Sequence, residues 1–401
     1  MTDADDAQRW ILEKTPTLSA QTVPVADALG RALAAEVVAE RTLPPWDNSA
    51  MDGYAVRSAD VSGAPVTLKV VETVYAGQMP KRAIGPGEAT RVMTGAPLPP
   101  GADAVVMQEK TRALDDGARV EIHEAVTAGT FVRPKGGDAR QGAVLLPLGT
   151  PIGIPEAALL YAQGIGEVPV PRRPKVALLS TGDELCRYDE APGDRIVDTN
   201  APALALAVKR AGGEPTILGI ARDDPAEVRA LFERTRGFDL VLSSAGVSVG
   251  ERDFVRDALE ALGVQVHFWK VAIKPGKPLL FGTLGSALYF GLPGNPASSL
   301  VTFEVFVLPA LRRMLGHQQA LTPRVPGRVA VAQHKPAGLT HFLRATVEVR
   351  DGALWAKPLP TQLSGSLRST TRATHLMVFP KDATRLEPGD PVELIPVSWA
   401  A

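Results

Sequence analysis

The apolar positions of this chain follow two rhythms, which change where Gly and Pro cluster. At the start, Ala7, Trp10, Ile11 and Lys14 fall at helical spacing, so residues 5–14 read as a short helix. Residues 25–38 read as a second helical stretch, broken by Glu40-Arg41-Thr42-Leu43-Pro44-Pro45. From about 45 to 140 the period drops to two, as in Val66-Thr67-Leu68-Lys69-Val70 and Arg119-Val120-Glu121-Ile122, with Gly and Pro between the runs. That pattern predicts a small β module. PEAALLYAQ (155–163) returns to a helix, opened by Pro155 and closed by Gly164. The module, residues 45–139, is therefore expected to be an insertion. Its host is an N-terminal linker domain of helical and extended segments, built from 1–44 and 140–171.

A different grammar starts at residue 172. PKVALLS, the run 215–220, FDLVLSS, VQVHFWK and SALYFGLPGNP read as strands. Between them lie helices: TNAPALALAVKRAGG, capped by Thr199 or Asn200 and stopped by Gly212; AEVRALFERT, capped by Asp223-Asp224-Pro225; RDFVRDALEALG; and then 297–315. Alternating strands and helices predict an α/β domain with a mostly parallel sheet over 172–316. Period two returns after about 320 in RVAVAQ, FLRATVEV, HLMVFP and PVELIPV. Residues 317–401 are thus expected to form a β barrel or sandwich.

At 401 residues the chain is long enough for two to three cores. Its 43 basic and 44 acidic residues nearly cancel, which argues against a general nucleic-acid binder but not against a local basic pocket. No apolar run approaches the roughly 18 residues of a membrane helix. The start, MTDADDAQRW, is acidic, unlike a secretory signal. One cysteine, Cys186, excludes an intrachain disulfide. A soluble cytoplasmic protein is expected, with neither membrane nor nucleic acid as partner.

In open parallel sheets ligands sit at the carboxyl ends of the strands. The loops after the predicted strands carry polar strings there. One is Ser180-Thr181-Gly182-Asp183-Glu184. Another is the small-residue loop 243–250, with Gly246 and Ser248, followed by Asp253. Lys270, Lys274 and Lys277 surround a Pro-Gly-Lys-Pro turn and suit a phosphate or oxyanion. Pro293-Gly294-Asn295-Pro296 closes the last strand. Carboxylates at Asp183, Glu184, Asp223 and Asp253 beside those lysines suggest a hydrated divalent ion, magnesium being the usual choice. Each string alone also fits a turn or a helix cap. No phosphate-loop, dinucleotide or zinc-protease motif is present, and the six histidines are scattered.

Seven strings in order, NSAMDGYAV, RVMTGAPLPPGADAVVMQE, VRPKGGD, LSTGDEL, GVSVGERD, WKVAIKPGKP and GLPGNPASS, resemble the MoeA/gephyrin E-domain family of molybdopterin molybdotransferases. The resemblance implies a homodimer of four-domain subunits, with a molybdopterin-binding α/β domain and a C-terminal β barrel. It implies magnesium-dependent insertion of molybdate into adenylylated molybdopterin, with release of AMP. Asp52, with catalysis as its implied role, and Thr94, Arg133 and Asp138, with substrate binding as theirs, match family positions in the first three strings. Glu184, Asp223 and Asp253 match the carboxylates, with metal binding and catalysis as implied roles. Lys270, Lys274 and Lys277 match the lysines, and Arg344 and Ser366 fit in the C-terminal domain. The active site is expected to be shared between subunits, with adenylylated molybdopterin, molybdate and other molybdenum cofactor biosynthesis proteins as partners.

Ala245 stands where the family usually has glycine, a replacement expected to be tolerated if its φ is negative. Two rival functions remain: a molybdopterin adenylyltransferase built on the same α/β module, and a non-enzymatic gephyrin-like scaffold.

Overall fold

The computed structural model describes residues 1–245 and 254–400; Gly246, Ser248 and Asp253 lie outside the described residues. The chain divides into two compact units, one of Met1–Ala35, Leu148–Ala157 and Glu167–Ala401, the other of Glu36–Pro147 and Ala158–Gly166. Among the described residues no helix is long and apolar enough to cross a membrane.

The second unit is a β module. Its six-stranded sheet runs in the order Ala104–Met107, Gly53–Val56, Glu88–Val92, Val66–Val74, Arg119–Ile122, Thr111–Leu114. Tyr54, Val56, Leu68, Ala89, Val106, Val120 and Ile122 fill one side of it. Gly53 is required where it stands, because a Cβ there would lie 2.0 Å from the Val106 carbonyl oxygen.

The first unit contains the α/β domain. Four strands, Glu214–Ala221, Lys175–Thr181, Leu240–Ser244 and Ala287–Leu292, are parallel neighbours in that order. Pro278–Leu284 and Gln265–Lys270 extend the sheet antiparallel. The alternation of side chains splits the core. Val176, Leu178, Leu240 and Leu242 face one layer, while Ala177, Leu179 and Val241 face the other. Helix Ala4–Lys14 buries Ala4, Ala7 and Ile11 in the first layer, which explains its helical spacing.

The C-terminal strands form a closed barrel: Thr340–Arg350, Ala353–Pro358, Val325–Val329, Pro391–Pro396 and His375–Phe379, which pairs back onto the first. Closure leaves no edge for unwanted pairing. A short strand, Ile273–Lys274, joins the barrel strand Thr340–Arg350 in parallel.

One local expectation fails, one strand goes unpredicted and one expected helix carries an irregularity, each for a physical reason. Residues 25–38 are not a helix. A 3-10 turn, Val25–Ala28, stops short of Gly30 (φ +76°), and a two-residue strand, Val37–Val38, follows. The donors of Gly30, Leu33 and Ala34 go to the carbonyls of Ile152, Thr150 and Pro169, so a distant segment takes what a helix would use. Pro278–Leu284 is a strand that the Pro-Gly-Lys-Pro turn masked; it forms a hairpin with Ala287–Leu292. The helix over 297–315 is real but carries a π segment, Phe303–Val307. Pro309 lacks the N–H that would bond Val305, and the Gln8 side-chain amide donates to that carbonyl at 2.9 Å instead.

Candidate functional site

Lys175–Thr181 lies between the next two strands in sequence, so the strand order reverses on its two sides. Such a switch point leaves a crevice at the carboxyl ends of the strands. A cleft of about 450 Å³ opens there, bordered by Glu184, Asp198, Asn200, Ser244, Pro293 and Pro296. Its framework is a buried polar network. The fully buried Ser180 donates its hydroxyl to Asp198 Oδ2 at 2.7 Å. Asp198 Oδ1 accepts the backbone N–H groups of Asn200 and Ala201 at 2.9 and 3.2 Å. Asn200 Nδ2 donates to Ser244 Oγ at 2.6 Å and to the Gly294 carbonyl at 2.7 Å.

Asp198 was not among the expected residues, and it caps the helix start that Thr199 or Asn200 was expected to cap. Thr199 makes no side-chain capping bond. The one sequence signal is an Asp-Thr-Asn string ahead of an apolar helical run, which any capped helix shares.

The carboxylates of the next loops differ from Asp198. Glu184 is exposed, and its carboxylate occupies the space a Cβ on Gly182 (φ +141°) would need, with an oxygen 2.5 Å from that position. Asp183 Oδ1 accepts the Asp223 N–H at 3.1 Å, and the Asp183 carbonyl accepts from Arg222, so the two loops are tied together. Asp224, not Asp223, caps the following helix, accepting from Ala226 and Glu227. Thr181 is buried at the strand end. Ala245 has φ +71°, so the condition set for tolerating this replacement, a negative φ, is not met: a non-glycine residue holds the left-handed conformation.

The lysines spread along one edge. Lys274 and Lys277 are exposed, and Gly276 between them (φ +97°) admits no Cβ, which would meet Thr302 Cγ2 at 2.3 Å. Pro278, next to Lys277, borders the cleft. Lys270 instead borders a hollow with Trp10 and Trp269.

Lys274 is the register partner of the buried His341. Burial first, then Lys274 and Lys335, push the His341 imidazole down to about 4, so it is neutral at pH 7. Three residues along the same barrel strand stands Arg344, fully buried. Its Nη2 donates to the Leu363 carbonyl at 3.1 Å, while Nε and Nη1 have no partner among the described residues. Burial lowers its pKa. Ser366, half-buried, opens the short helix Leu367–Thr370. Its loop reaches the sheet domain, where the Ser364 carbonyl accepts the Ala297 N–H at 2.9 Å.

The β-module unit has its own cluster. Asn48 and Ser49 pair with Arg133 and Val132. Ser49 also bonds the backbone of Gly95 and Ala96, and Ala50 bonds Phe131, so three separated strings become neighbours. Asp52 Oδ1 accepts the Thr94 N–H at 2.6 Å and its hydroxyl at 2.8 Å. Those bonds, backbone first, hold the Asp52 carboxyl below its usual range. Arg133 and Asp138 are exposed.

Among the described residues, the side chains of Arg133, Asp138, Glu184, Asp223, Lys274 and Lys277 make no hydrogen bond or ion pair with the protein. Nor do the described residues contain a cluster of three His, Cys, Asp or Glu side chains able to hold a metal.

Three family models match the chain. Residues 2–164 match "MoeA N-terminal region (domain I and II)", 177–313 match "Probable molybdopterin binding domain", and 326–397 match "MoeA C-terminal region (domain IV)". A relative from Nostoc sp., named Molybdopterin molybdenumtransferase, is 40% identical over 98% of this chain and 93% of its own. One of the same name from Haemophilus influenzae is 35% identical over 99% of this chain and 98% of its own. A crystal structure of the molybdopterin biosynthesis MoeA protein from Pyrococcus horikoshii superposes with a TM-score of 0.85, at 29% identity, covering 99% of this chain and all of that one.

Proposed function

The chain belongs to the MoeA family, and from that premise we propose that it is a molybdopterin molybdenumtransferase. It inserts molybdate into adenylylated molybdopterin and releases AMP, as a step of molybdenum cofactor biosynthesis in the cytoplasm. The observation that carries the reading is a pair of exposed lysines, Lys274 and Lys277, on the turn that leads into the cleft residue Pro278. Neither ammonium has a hydrogen-bond or ion-pair partner among the described residues, which suits a tetrahedral oxyanion. The rival of a stand-alone adenylyltransferase leaves the matches over 2–164 and 326–397 without a role.

In this reading Lys274, Lys277 and Arg344 neutralise and orient molybdate, with Ser366 at the rim. Lys270, Ser180, Thr181, Pro293 and Pro296 shape or line the pterin and phosphate side, together with the N–H groups of Gly246 and Ser248. The donor set fits magnesium: Glu184 and Asp223 are carboxylates free of protein partners on two loops tied by Asp183. Asp253 is the third expected ligand. When bound, the ion would neutralise charge on the pyrophosphate link.

The working unit is a homodimer, in which Asp52, Thr94, Arg133 and Asp138 of one subunit complete the cleft of the other. Purified protein mixed with adenylylated molybdopterin, molybdate and magnesium should release AMP and yield active cofactor; no release overturns the reading and favours a scaffold. An Asp52→Ala subunit mixed with a Glu184→Ala subunit should regain activity that neither variant has. Absence of recovery excludes the shared site.

A further inference from the structure

We infer that Asn200 is a positioning residue for this reaction: its side-chain amide fastens Ser244 to the 293–296 turn and so sets the width of the cleft that takes the pterin substrate. The inference rests on the molybdenumtransferase reading. Asn200 is only 8% exposed and is the first residue of helix Asn200–Arg210. A residue there commonly serves its own helix. Asn200 does not. Its nitrogen bridges two other elements, the end of strand Leu240–Ser244 and the turn after strand Ala287–Leu292, at 2.6 and 2.7 Å. The Gly294 carbonyl can only accept, which fixes the amide nitrogen on that side, and both amide hydrogens are then used.

Asn200 is itself anchored. Asp198 holds its backbone N–H with one oxygen and the Ser180 hydroxyl with the other. The ends of three adjacent parallel strands are therefore linked through two side chains. Asp198, Asn200, Ser244 and Gly294 all border the same cleft.

The walls so joined are already close. A Cβ built on Gly294 would lie 3.2 Å from the Cβ of Ala245, the residue that follows Ser244 and holds φ +71°. A gap that tight between two loops depends on whatever fixes their spacing. Arg344 and Lys274 sit instead on the paired barrel strands, outside this link. The two substrates should therefore respond differently to its loss.

The test measures AMP release by Asn200→Ala and wild type, varying adenylylated molybdopterin and molybdate separately, beside melting temperature. Asn200→Ala should raise the KM for the adenylylated pterin about tenfold or more, with the KM for molybdate unchanged. Ser244→Ala removes one arm and keeps the Gly294 bond, so it should move the same constant less; it also serves if Asn200→Ala does not fold. A lower melting temperature or kcat with both KM values unchanged overturns the positioning role, leaving Asn200 a structural residue. An inactive wild type overturns the functional reading instead, and this inference with it.

Discussion

The two polar clusters differ in how they use their carboxylates. At the strand switch point, Asp198 is buried and both oxygens accept bonds from Ser180 and the next helix start. In the β module, Asp52 is exposed and accepts from Thr94, while the side chains of Arg133 and Asp138 in the same module make no hydrogen bond or ion pair among the described residues. The first cluster is a framework whose donors and acceptors are spent on holding three strands together. The second presents charge to solution. The cleft combines both kinds, because the exposed Glu184 borders it together with the Asp198 framework. Buried polar groups with all partners made define geometry, and unspent ones at their edge are available for chemistry.

The largest effects should come from the unspent groups and appear in activity. Glu184→Gln keeps an oxygen and loses the charge. Turnover should fall about 100-fold at ordinary magnesium and recover in part at higher metal, with melting nearly unchanged. A variant that melts far earlier but keeps turnover would move Glu184 into the framework class. Lys277→Ala should weaken substrate binding about tenfold, the value of one charge-assisted contact, and the loss should grow as salt is lowered. Equal binding at every salt concentration would remove Lys277 from the site.

Next come stability effects, in which the order reverses. Asp198→Ala leaves a buried hydroxyl and two backbone N–H groups without their acceptor. It should cost on the order of 3 kcal/mol, read by denaturant unfolding. Asp52→Ala exposes its former donors to water and should lower stability much less. If the two variants unfold alike, burial is not what separates the clusters.

This contrast also marks what the chain made legible. The α/β alternation, the period-two barrel and the inserted β module follow from local patterning, which burial of one face imposes on each element. Residues 25–38 misled because their backbone donors are taken by residues 150–152 and 169, and no local pattern encodes a distant acceptor. The exposed candidate residues were singled out through motif strings. Asp198 and Asn200 were not, since Asp and Asn before a helix read as caps. Their other partners, Ser180, Ser244 and Gly294, approach only once three strands lie side by side.

A smaller effect tests how tightly the framework is packed. Gly294→Ala brings a Cβ to 3.2 Å from that of Ala245 and should cost about 1–2 kcal/mol as an overpacked contact. Ala245→Gly removes the opposing Cβ and relieves the left-handed strain, worth about 1 kcal/mol. The double variant should therefore regain what Gly294→Ala alone loses. An unchanged cost of Gly294→Ala when Ala245→Gly is also present would mean that the two walls are not in contact in solution.

The smallest effect is a pH dependence that separates the two regions by window. His341, packed against Lys274 and Lys335, is shifted from the usual 6.5 down to about 4. The unfolded chain therefore takes up this proton more readily than the folded one. The stability contribution is whole above about 6.5, falls as pH drops through the interval from 6.5 to 4, and is flat below it. Asp52 is shifted below its usual 3.8 by the Thr94 bonds, so its contribution is present above 3.8 and is lost as pH falls through its lower folded value. His267, His317 and His375 are also lowered by burial, so His341→Gln should remove a share of the slope between 6.5 and 4 rather than all of it. Asp52→Asn should leave that interval untouched and flatten the curve only at more acidic pH. Melting temperatures of both variants and wild type from pH 3 to pH 8 decide it. An unchanged slope in His341→Gln would mean that its imidazole is not buried against the strand that carries Lys274.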